Sequence, residues 1–304
     1  MSDKLKVLIT GASGYIASQM LKEYRDRYDL TLIDAIDTGR DGNRVDGVQI
    51  VDLIDTERSG YEQYFTRQDA VIHLAYKRSS PGGVYGTDVP HIDRFATEHE
   101  NVQMANNVYR AAYDAGVKRV VVASSNHAAD WYEHALIHNR KKEMVFEDEV
   151  PLSDNFYGWA KAAYELLAYP YACGAFGRKL EIVQVRIGNP RETDADELLA
   201  HADELHGGTG QSTYKRGLGD HFSERDLRQL FIKAIETPDI ENEHGVPWLI
   251  VYGISANTRA FWSLENARRV LGYDPQDDSE LKFTDRIIQH LTVDDPAGPG
   301  KVGD

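Results

Sequence analysis

The sequence predicts an α/β protein, a doubly wound parallel sheet with a small C-terminal lobe, and three observations carry that prediction. Short continuous apolar runs alternate with stretches of helical periodicity, the pattern of parallel strands covered on both faces by crossover helices. A glycine-rich turn joins the first apolar run to the first helical stretch. Small polar residues and an aspartate stand just beyond the ends of two other runs, where open α/β sheets hold their ligands.

The elements follow in order. Lys6–Thr10 (KVLIT) is too short for a helix and is closed by Gly11, so it reads as the first strand. An amphipathic helix follows over Tyr15–Arg27. Leu30–Ile33 is the second strand, ending at Asp34; Val48–Val51 is the third and Ala70–Leu74 the fourth. From Thr97 to Ala115, the residues Val102, Ala105, Val108, Tyr109 and Ala112 recur at helical spacing. Gly116 suits the left-handed position just past that helix. Arg119–Ala123 is the fifth strand. Tyr157–Tyr169 is helical, with Pro170 expected beyond its end. Leu180–Val185 is the sixth strand and Trp248–Tyr252 a late one. Pro190–Phe222 is polar, Gly-rich and without clear periodicity, which predicts a long excursion near a ligand or a mobile surface loop.

The chain has 304 residues, 41% of them hydrophobic and 27% charged, with a net charge of −15. That charge argues against a general affinity for nucleic acid or anionic lipid surfaces, and surface acidity of this degree also suits a salty cytoplasm. Cys173 is the single cysteine, which excludes an intrachain disulfide and a Cys-based zinc site and fits the reducing cytoplasm. The sequence shows no signal-peptide pattern and no apolar stretch of about 18 residues, so no membrane association is expected.

Gly11-Ala12-Ser13-Gly14-Tyr15-Ile16-Ala17 lies between the first strand and the first helix. Glycines there let the backbone approach a pyrophosphate, and the helix N-terminus offers unpaired N–H groups. The spacing is G-x-x-G-x-x-A, which an ordinary tight turn would also satisfy. Asp34, at the end of the second strand, is placed to accept hydrogen bonds from adenosine ribose hydroxyls. A 2′-phosphate would meet a like charge, so the expected cofactor is NAD. Asp37 competes for that role, and a cap or turn aspartate is the plainer reading. Asp52 and Leu53 either flank the adenine or form a surface turn.

Ser124-Ser125-Asn126-His127 follows the fifth strand directly. Tyr157 and Lys161 share one helix face at i and i+4. A free phenol has a pKa of about 10, too high for an efficient base at neutral pH. A nearby ammonium favours the phenolate, and lowering the pKa by ~3 units takes roughly 4 kcal/mol. Ser125 is then positioned to hydrogen-bond the reacting oxygen. The plainer reading of Tyr157 and Lys161 is a solvated pair on an exposed helix face.

Over residues 4–290 these motifs resemble, in order, the extended short-chain dehydrogenases/reductases of the NAD-dependent epimerase/dehydratase family: the glycine turn, Asp34, His73-Leu74-Ala75, Asn101, Ser125 and the Tyr157/Lys161 pair. The resemblance implies a Rossmann-type domain over 1–185 and mainly a substrate-binding lobe over 186–292; the polar, Gly- and Pro-containing end reads as a flexible tail over 293–304. It implies Tyr157 as general base, Lys161 also on the nicotinamide ribose, and Asn101 supporting the proton relay. Cofactor contacts would come from Gly11, Ser13, Gly14, Tyr15, Ile16, Asp34, Asp52, Leu53, Leu74, Ala75, Tyr76, Tyr157 and Lys161. Ala17 stands where a third glycine is usual.

Three segments resemble uronate dehydrogenases within that family: Ser124–His127, Val185-Arg186-Ile187-Gly188, and Tyr252–Asn257 followed by Phe261-Trp262. By that resemblance Lys77, Asn126, His127, Asn189, Arg216 and Phe261 face the sugar, with Arg191 as competitor for the Arg216 role. Asn189-Pro190 replaces an expected serine, and the segments 76–99 and 190–222 are longer than in those enzymes. Lys77, Arg78, Lys215 and Arg216 either meet a substrate anion or balance surface acids. The implied reaction is NAD-dependent oxidation of a sugar or sugar acid at C1 to the lactone, in a cytoplasmic homodimer. The alternatives are a nucleotide-sugar epimerase or dehydratase using the same trio, and a non-catalytic dinucleotide-binding regulator. No metal is expected, since His134 and His138 lack the Glu of a His-Glu-x-x-His site. No Gly-x-Ser-x-Gly elbow marks a serine hydrolase.

Overall fold

The computed structural model describes residues 4–55, 57–78, 90–191, 194–200 and 210–292. In chain order the first half runs β1 (Lys6–Thr10), α1 (Tyr15–Arg27), β2 (Asp29–Asp34), β3 (Val48–Ile50), β4 (Ala70–His73), α2 (Phe95–Asp114) and β5 (Arg119–Ser125). Then come the short α3 (Asp130–Tyr132), α4 (Phe156–Ala172), β6 (Glu181–Ile187), α5 (Ala195–Ala200), α6 (Gly210–Gly219) and α7 (Glu224–Glu236). β7 (Trp248–Gly253), α8 (Glu265–Leu271), α9 (Ser279–Lys282) and α10 (Thr284–Thr292) complete it.

All seven strands pair in parallel, in the order β3-β2-β1-β4-β5-β6-β7. The order reverses between β1 and β4, the crevice where doubly wound sheets bind nucleotides. Register brings the strand ends level there: Thr10 lies beside both Ile33 and His73, and Ser125 beside Ile187.

Alternate strand residues feed two cores. On one face Val7, Ile9, Val121, Val183 and Val251 pack against Leu227, Leu230 and Phe231 of α7. On the other Leu8, Val71, Val120 and Ile182 pack under α2 and α4 through Val108, Tyr109, Ala160 and Tyr164. Full burial of one such Leu, Val or Phe contributes about 1.5–3 kcal/mol. The sheet also buries ions. Arg186 of β6 holds Glu165 of α4 through two bonds of 2.9 and 2.8 Å, both side chains fully buried. Ser124 donates to the same carboxylate at 2.8 Å, and Arg186 donates to the Tyr252 hydroxyl at 2.8 Å. That network ties β5, β6, β7 and α4 together, and removing one member would leave an uncompensated buried charge.

Two expectations are corrected. Pro170 lies inside α4, not beyond it. It falls in the last turn, where Cys173 N still reaches Tyr169 O at 2.8 Å and Ala175 N reaches Pro170 O at 3.2 Å. The excursion from Pro190 to Phe222 is not structureless, since it contains α5 and α6. Ala195 and Leu218 pack with Phe283 and Ile287 in a small separate core. Its glycines hide the periodicity because one is a contact surface: a Cβ on Gly217 would stand 2.5 Å from Leu198 Cδ2. Residues 192–193 and 201–209 of this stretch, and the tail 293–304, lie outside the described residues. Among the described residues no helix is long and apolar enough to cross a membrane.

Candidate active site

A cavity of about 640 Å³ crosses the carboxyl ends of the central strands. At one end lies the glycine turn. Gly11 has φ +71°, and a Cβ there would stand 2.5 Å from Ala75 N, so only glycine lets the β1 and β4 ends approach. Gly14 begins α1 with no side-chain cap and no acid in the first turn. The α1 N–H groups therefore point toward the cavity wall formed by Ser13, Tyr15 and Ile16. Asp34 fastens this turn: Ser13 N donates to its Oδ2 at 2.9 Å and Ala35 N to its Oδ1 at 2.7 Å. Burial pushes the Asp34 carboxyl up, against the pull of those backbone donors. Asp34 lines the cavity, whereas the competitor Asp37 pairs with Arg44 at 2.7 Å. Arg40, which the sequence did not single out, lines the same end with its guanidinium 5.1 Å from the Tyr15 ring centre.

Asp52 and Leu53 do not reach this lining. Asp52 is exposed and accepts Ile54 N at 2.9 Å in its own turn, and Leu53 is packed into the core. Leu74, Ala75 and Tyr76, beyond β4, do line it.

At the centre stand Ser125, Tyr157 and Lys161. Asn155 caps α4 by accepting Gly158 N at 2.9 Å, which presents Tyr157 in the first turn. Gly158 allows α4 to seat on the β5 end: a Cβ there would lie 2.0 Å from His127 O. The Tyr157 ring meets Tyr76 and His127 edge-on, each at 5.4 Å between centroids. Lys161 Nζ donates to Ala123 O at 2.9 Å and stands 5.7 Å from the Tyr157 ring centre. Burial brings the Lys161 amine down to about 8, against the upward pull of Glu98 and Glu165. Ser125 Oγ accepts His127 N at 3.2 Å and lies 3.3 Å from Asn126 Oδ1.

Two expected members of this centre sit elsewhere. Asn101 is fully buried with both ends of its amide engaged: Oδ1 accepts Lys77 N at 2.8 Å and Nδ2 donates to Lys77 O at 2.9 Å. It braces the chain after β4 and does not line the cavity. The Lys77 ammonium turns outward to Glu100 at 2.5 Å, and Arg78 lines the cavity in its place. One helical turn before Asn101 lies Glu98, a buried carboxylate that accepts the Tyr76 hydroxyl at 2.5 Å. Its position at i−3 from Asn101 put it on the same helix face, a signal the sequence did carry.

The far end is polar and largely ionic. His127 Nδ1 is 2.8 Å from Asp130 Oδ2, which also accepts Asn155 Nδ2 at 2.8 Å. Arg216 reaches this end from α6: Nε donates to Glu133 Oε1 at 2.7 Å and Nη2 lies 3.4 Å from His127 Nε2. Burial would push the Glu133 carboxyl up, but Arg216 and His138 hold it down to about 2. Asp220, one turn after Arg216, is pushed up to about 7 by burial, although Arg216 pulls the other way. Asn189 delivers this segment. Its N donates to Asp220 O at 2.7 Å, and its O accepts Phe222 N at 2.8 Å. Asn189, Arg191, Arg216 and Asp220 all line the cavity.

Phe261 does not. It is buried in a small core with Trp262, Tyr252 and Ile254, pressed against Gly219, whose Cβ would meet it at 3.0 Å. Lys215 also lies outside the lining, its amine lowered by burial and by Arg140 and Arg259. His134 and His138 go to different partners, Asp154 at 2.7 Å and Glu133 at 3.1 Å. Asp130, Glu133 and Asp220 were missed because each reads alone as a surface acid; Asp130 at i+3 from His127 and Asp220 at i+4 from Arg216 carried a local spacing signal, whereas Glu133 meets Arg216 only through the fold.

The profile of the NAD dependent epimerase/dehydratase family matches residues 7–190, which span the glycine turn, Ser125, Tyr157 and Lys161. The chain belongs to that family. A NAD-dependent glucose-6-phosphate dehydrogenase of Haloferax volcanii is 32% identical to it over 288 residues, 91% of this chain and 95% of that protein. A uronate dehydrogenase of Pseudomonas syringae pv. tomato is 27% identical, over 95% of this chain and 88% of that protein. A solved structure described as a mutated uronate dehydrogenase superposes with a TM-score of 0.69 at 26% identity, over 98% of this chain and 90% of that one.

Proposed function

We propose that this member of the family is an NAD-dependent sugar dehydrogenase that oxidises a sugar or sugar derivative at C1 to the lactone, with Tyr157 as general base. The observation that carries the reading is one continuous cavity. It joins the glycine turn, the buried Lys161 ammonium beside Tyr157, and the polar end around His127 and Arg216. The activities named for the two relatives above, both sugar oxidations, support the same class.

The residues fit NAD. The turn from Gly11 to Ile16 would hold the pyrophosphate at the N-terminus of α1, in a cradle that a Cβ at Gly11 would fill. Asp34 would accept the ribose hydroxyls, and Lys161 with Tyr157 would hold the nicotinamide ribose. NAD, when bound there, would supply the hydride acceptor for the oxidation at C1. Tyr157 takes the proton from the C1 hydroxyl. Lys161 favours the phenolate by its charge, and its burial strengthens that effect. Ser125 donates to the reacting oxygen and keeps it aligned. Asn126 and His127 hold the ring. Asn101 acts on this centre through the backbone at Lys77 and through Glu98, to which its amide also donates at 3.3 Å, as a positioning residue.

A homodimer is part of the proposal. Phe95 of α2 and Trp159 and Leu166 of α4 are exposed, and the Phe95 ring meets Phe156 edge-on and Trp159 at a tilt, an apolar helical face suited to a second copy. The single cysteine suits a reducing compartment such as the cytoplasm. The test of the base is Tyr157→Phe. Turnover should fall ~10²–10⁴-fold with little change in the KM for sugar; unchanged turnover would sink the assignment.

A further inference from the structure

Two arginines of the cavity stand without an acid. Arg78 and Arg191 both line it and both are exposed, and among the described residues neither pairs with a carboxylate. The other cations there are matched. Arg216 bonds Glu133 at 2.7 Å and lies 3.7 Å from Asp220. Lys161 lies in the field of Glu98, a buried carboxylate. Arg40 shares the glycine-turn end with Asp34. In a chain of net charge −15, two unmatched guanidinium groups facing one cavity point to an anionic ligand.

Both arginines extend from pinned backbone. Asn101, fully buried, closes on the N and O of Lys77, the residue before Arg78, at 2.8 and 2.9 Å. Pro190 O accepts Gln19 Nε2 at 2.8 Å, and Arg191 N donates to Asn189 Oδ1 at 3.3 Å. Arg78 follows β4 and Arg191 follows β6, and β5 lies between those two strands. Neighbouring strands stand about 4.8 Å apart, so the two segments leave the sheet about 10 Å from each other. Between them is the β5 end with Ser125, where C1 of the sugar is placed.

We propose that Arg78 and Arg191 are a phosphate-binding pair, and that the substrate is an aldose carrying a phosphate monoester on a carbon distant from C1. The inference rests on the sugar-oxidation reading and narrows its substrate class.

The chemistry of the pair selects the anion. Each guanidinium offers a planar fork of donors that matches phosphate oxygens two at a time. A phosphate monoester carries about −1.5 to −2 at pH 7, which suits two guanidinium groups, whereas a uronate brings a single charge. The cofactor pyrophosphate has its own place at the N-terminus of α1, which holds no acid in its first turn. Oxidation at C1 needs a free C1 hydroxyl. A nucleoside diphosphate sugar, whose pyrophosphate is bonded through O1, therefore does not fit the reaction, and a phosphate at the far end of the sugar does.

The test measures kcat/KM with saturating NAD⁺ for glucose, glucose 6-phosphate, glucuronate, ribose and ribose 5-phosphate, in wild type, Arg78→Gln and Arg191→Gln. The wild type should favour a phosphate over its parent sugar, and over glucuronate, by at least about tenfold. Each variant should cut that ratio about tenfold, through the KM for the phosphate and with kcat nearly kept. NADH from parent sugars with no gain from a phosphate, a preference for glucuronate, or a ratio unchanged in either variant overturns the proposal. So does a KM that rises for NAD⁺ and not for the sugar phosphate, which would put the guanidinium groups on the cofactor. The wild-type comparison decides even if a variant does not fold. NADH from none of these sugars would instead overturn the dehydrogenase reading beneath it.

Discussion

Gly158→Ala tests how the catalytic helix is seated. The added Cβ would stand 2.0 Å from the His127 carbonyl oxygen and 2.1 Å from Ser153 Oγ. Carbon contacts settle at about 3.5–4.0 Å, so this contact must open by more than an ångström. Ser153 Oγ can rotate away, but the His127 carbonyl is backbone in the turn that begins at the β5 end and cannot. Overpacking of this kind costs about 1–3 kcal/mol, which for a chain of this size lowers Tm by roughly 2–10 °C. The functional effect should be larger. Tyr157 and His127 stand on the two sides of the contact, their rings 5.4 Å apart. A misplacement of ~1 Å costs on the order of 10²-fold in rate. Calorimetry and kcat with saturating NAD⁺ and sugar are the assays. A variant with wild-type Tm and wild-type kcat would refute the claim that Gly158 sets the approach of Tyr157 to the sugar-binding turn.

Two further outcomes follow from the site. Glu98→Gln removes one of the two carboxylates that pull the Lys161 amine up against burial, and the other, Glu165, is already held by Arg186. The amine should then fall further below about 8, so the alkaline limb of the kcat profile should move to lower pH; an unmoved limb contradicts it. Gly11→Ala places a Cβ 2.5 Å from Ala75 N at a φ of +71°. NAD⁺ affinity, read by fluorescence titration, should weaken at least ~tenfold, since binding sites lose most when their geometry shifts by about an ångström; unchanged affinity contradicts the cradle.

The sheet was legible because its central strands are buried on both faces and so appear as nearly unbroken apolar runs, as in Arg119–Ala123 and Trp248–Tyr252. Local motifs were legible for the same reason that they are local: the glycine turn, Ser125, and Tyr157 with Lys161 each sit within one turn or one strand end. What depends on distant pairing was not. Asn101 marked the right helix face, but only the fold shows its amide closing on Lys77, 24 positions away. Phe261 resembled a substrate-facing aromatic, yet Gly219 and Trp262 enclose it. Glu133 and Asp220 become informative only once Arg216 lies between them, and that needs α6, whose glycines conceal its helical period. Pro170 misplaced a boundary because a proline in the last turn of a helix removes a donor without breaking the turns before it.

The most direct measurement mixes the purified protein with NAD⁺ and aldoses, sugar phosphates, uronates and UDP-sugars, and follows NADH absorbance with product analysis. The account predicts NADH formed one-for-one with a 1,5- or 1,4-lactone from a free or phosphorylated sugar, and loss of that signal in Tyr157→Phe. No NADH from any sugar, with a UDP-sugar epimerised or dehydrated in the same mixture, would contradict it.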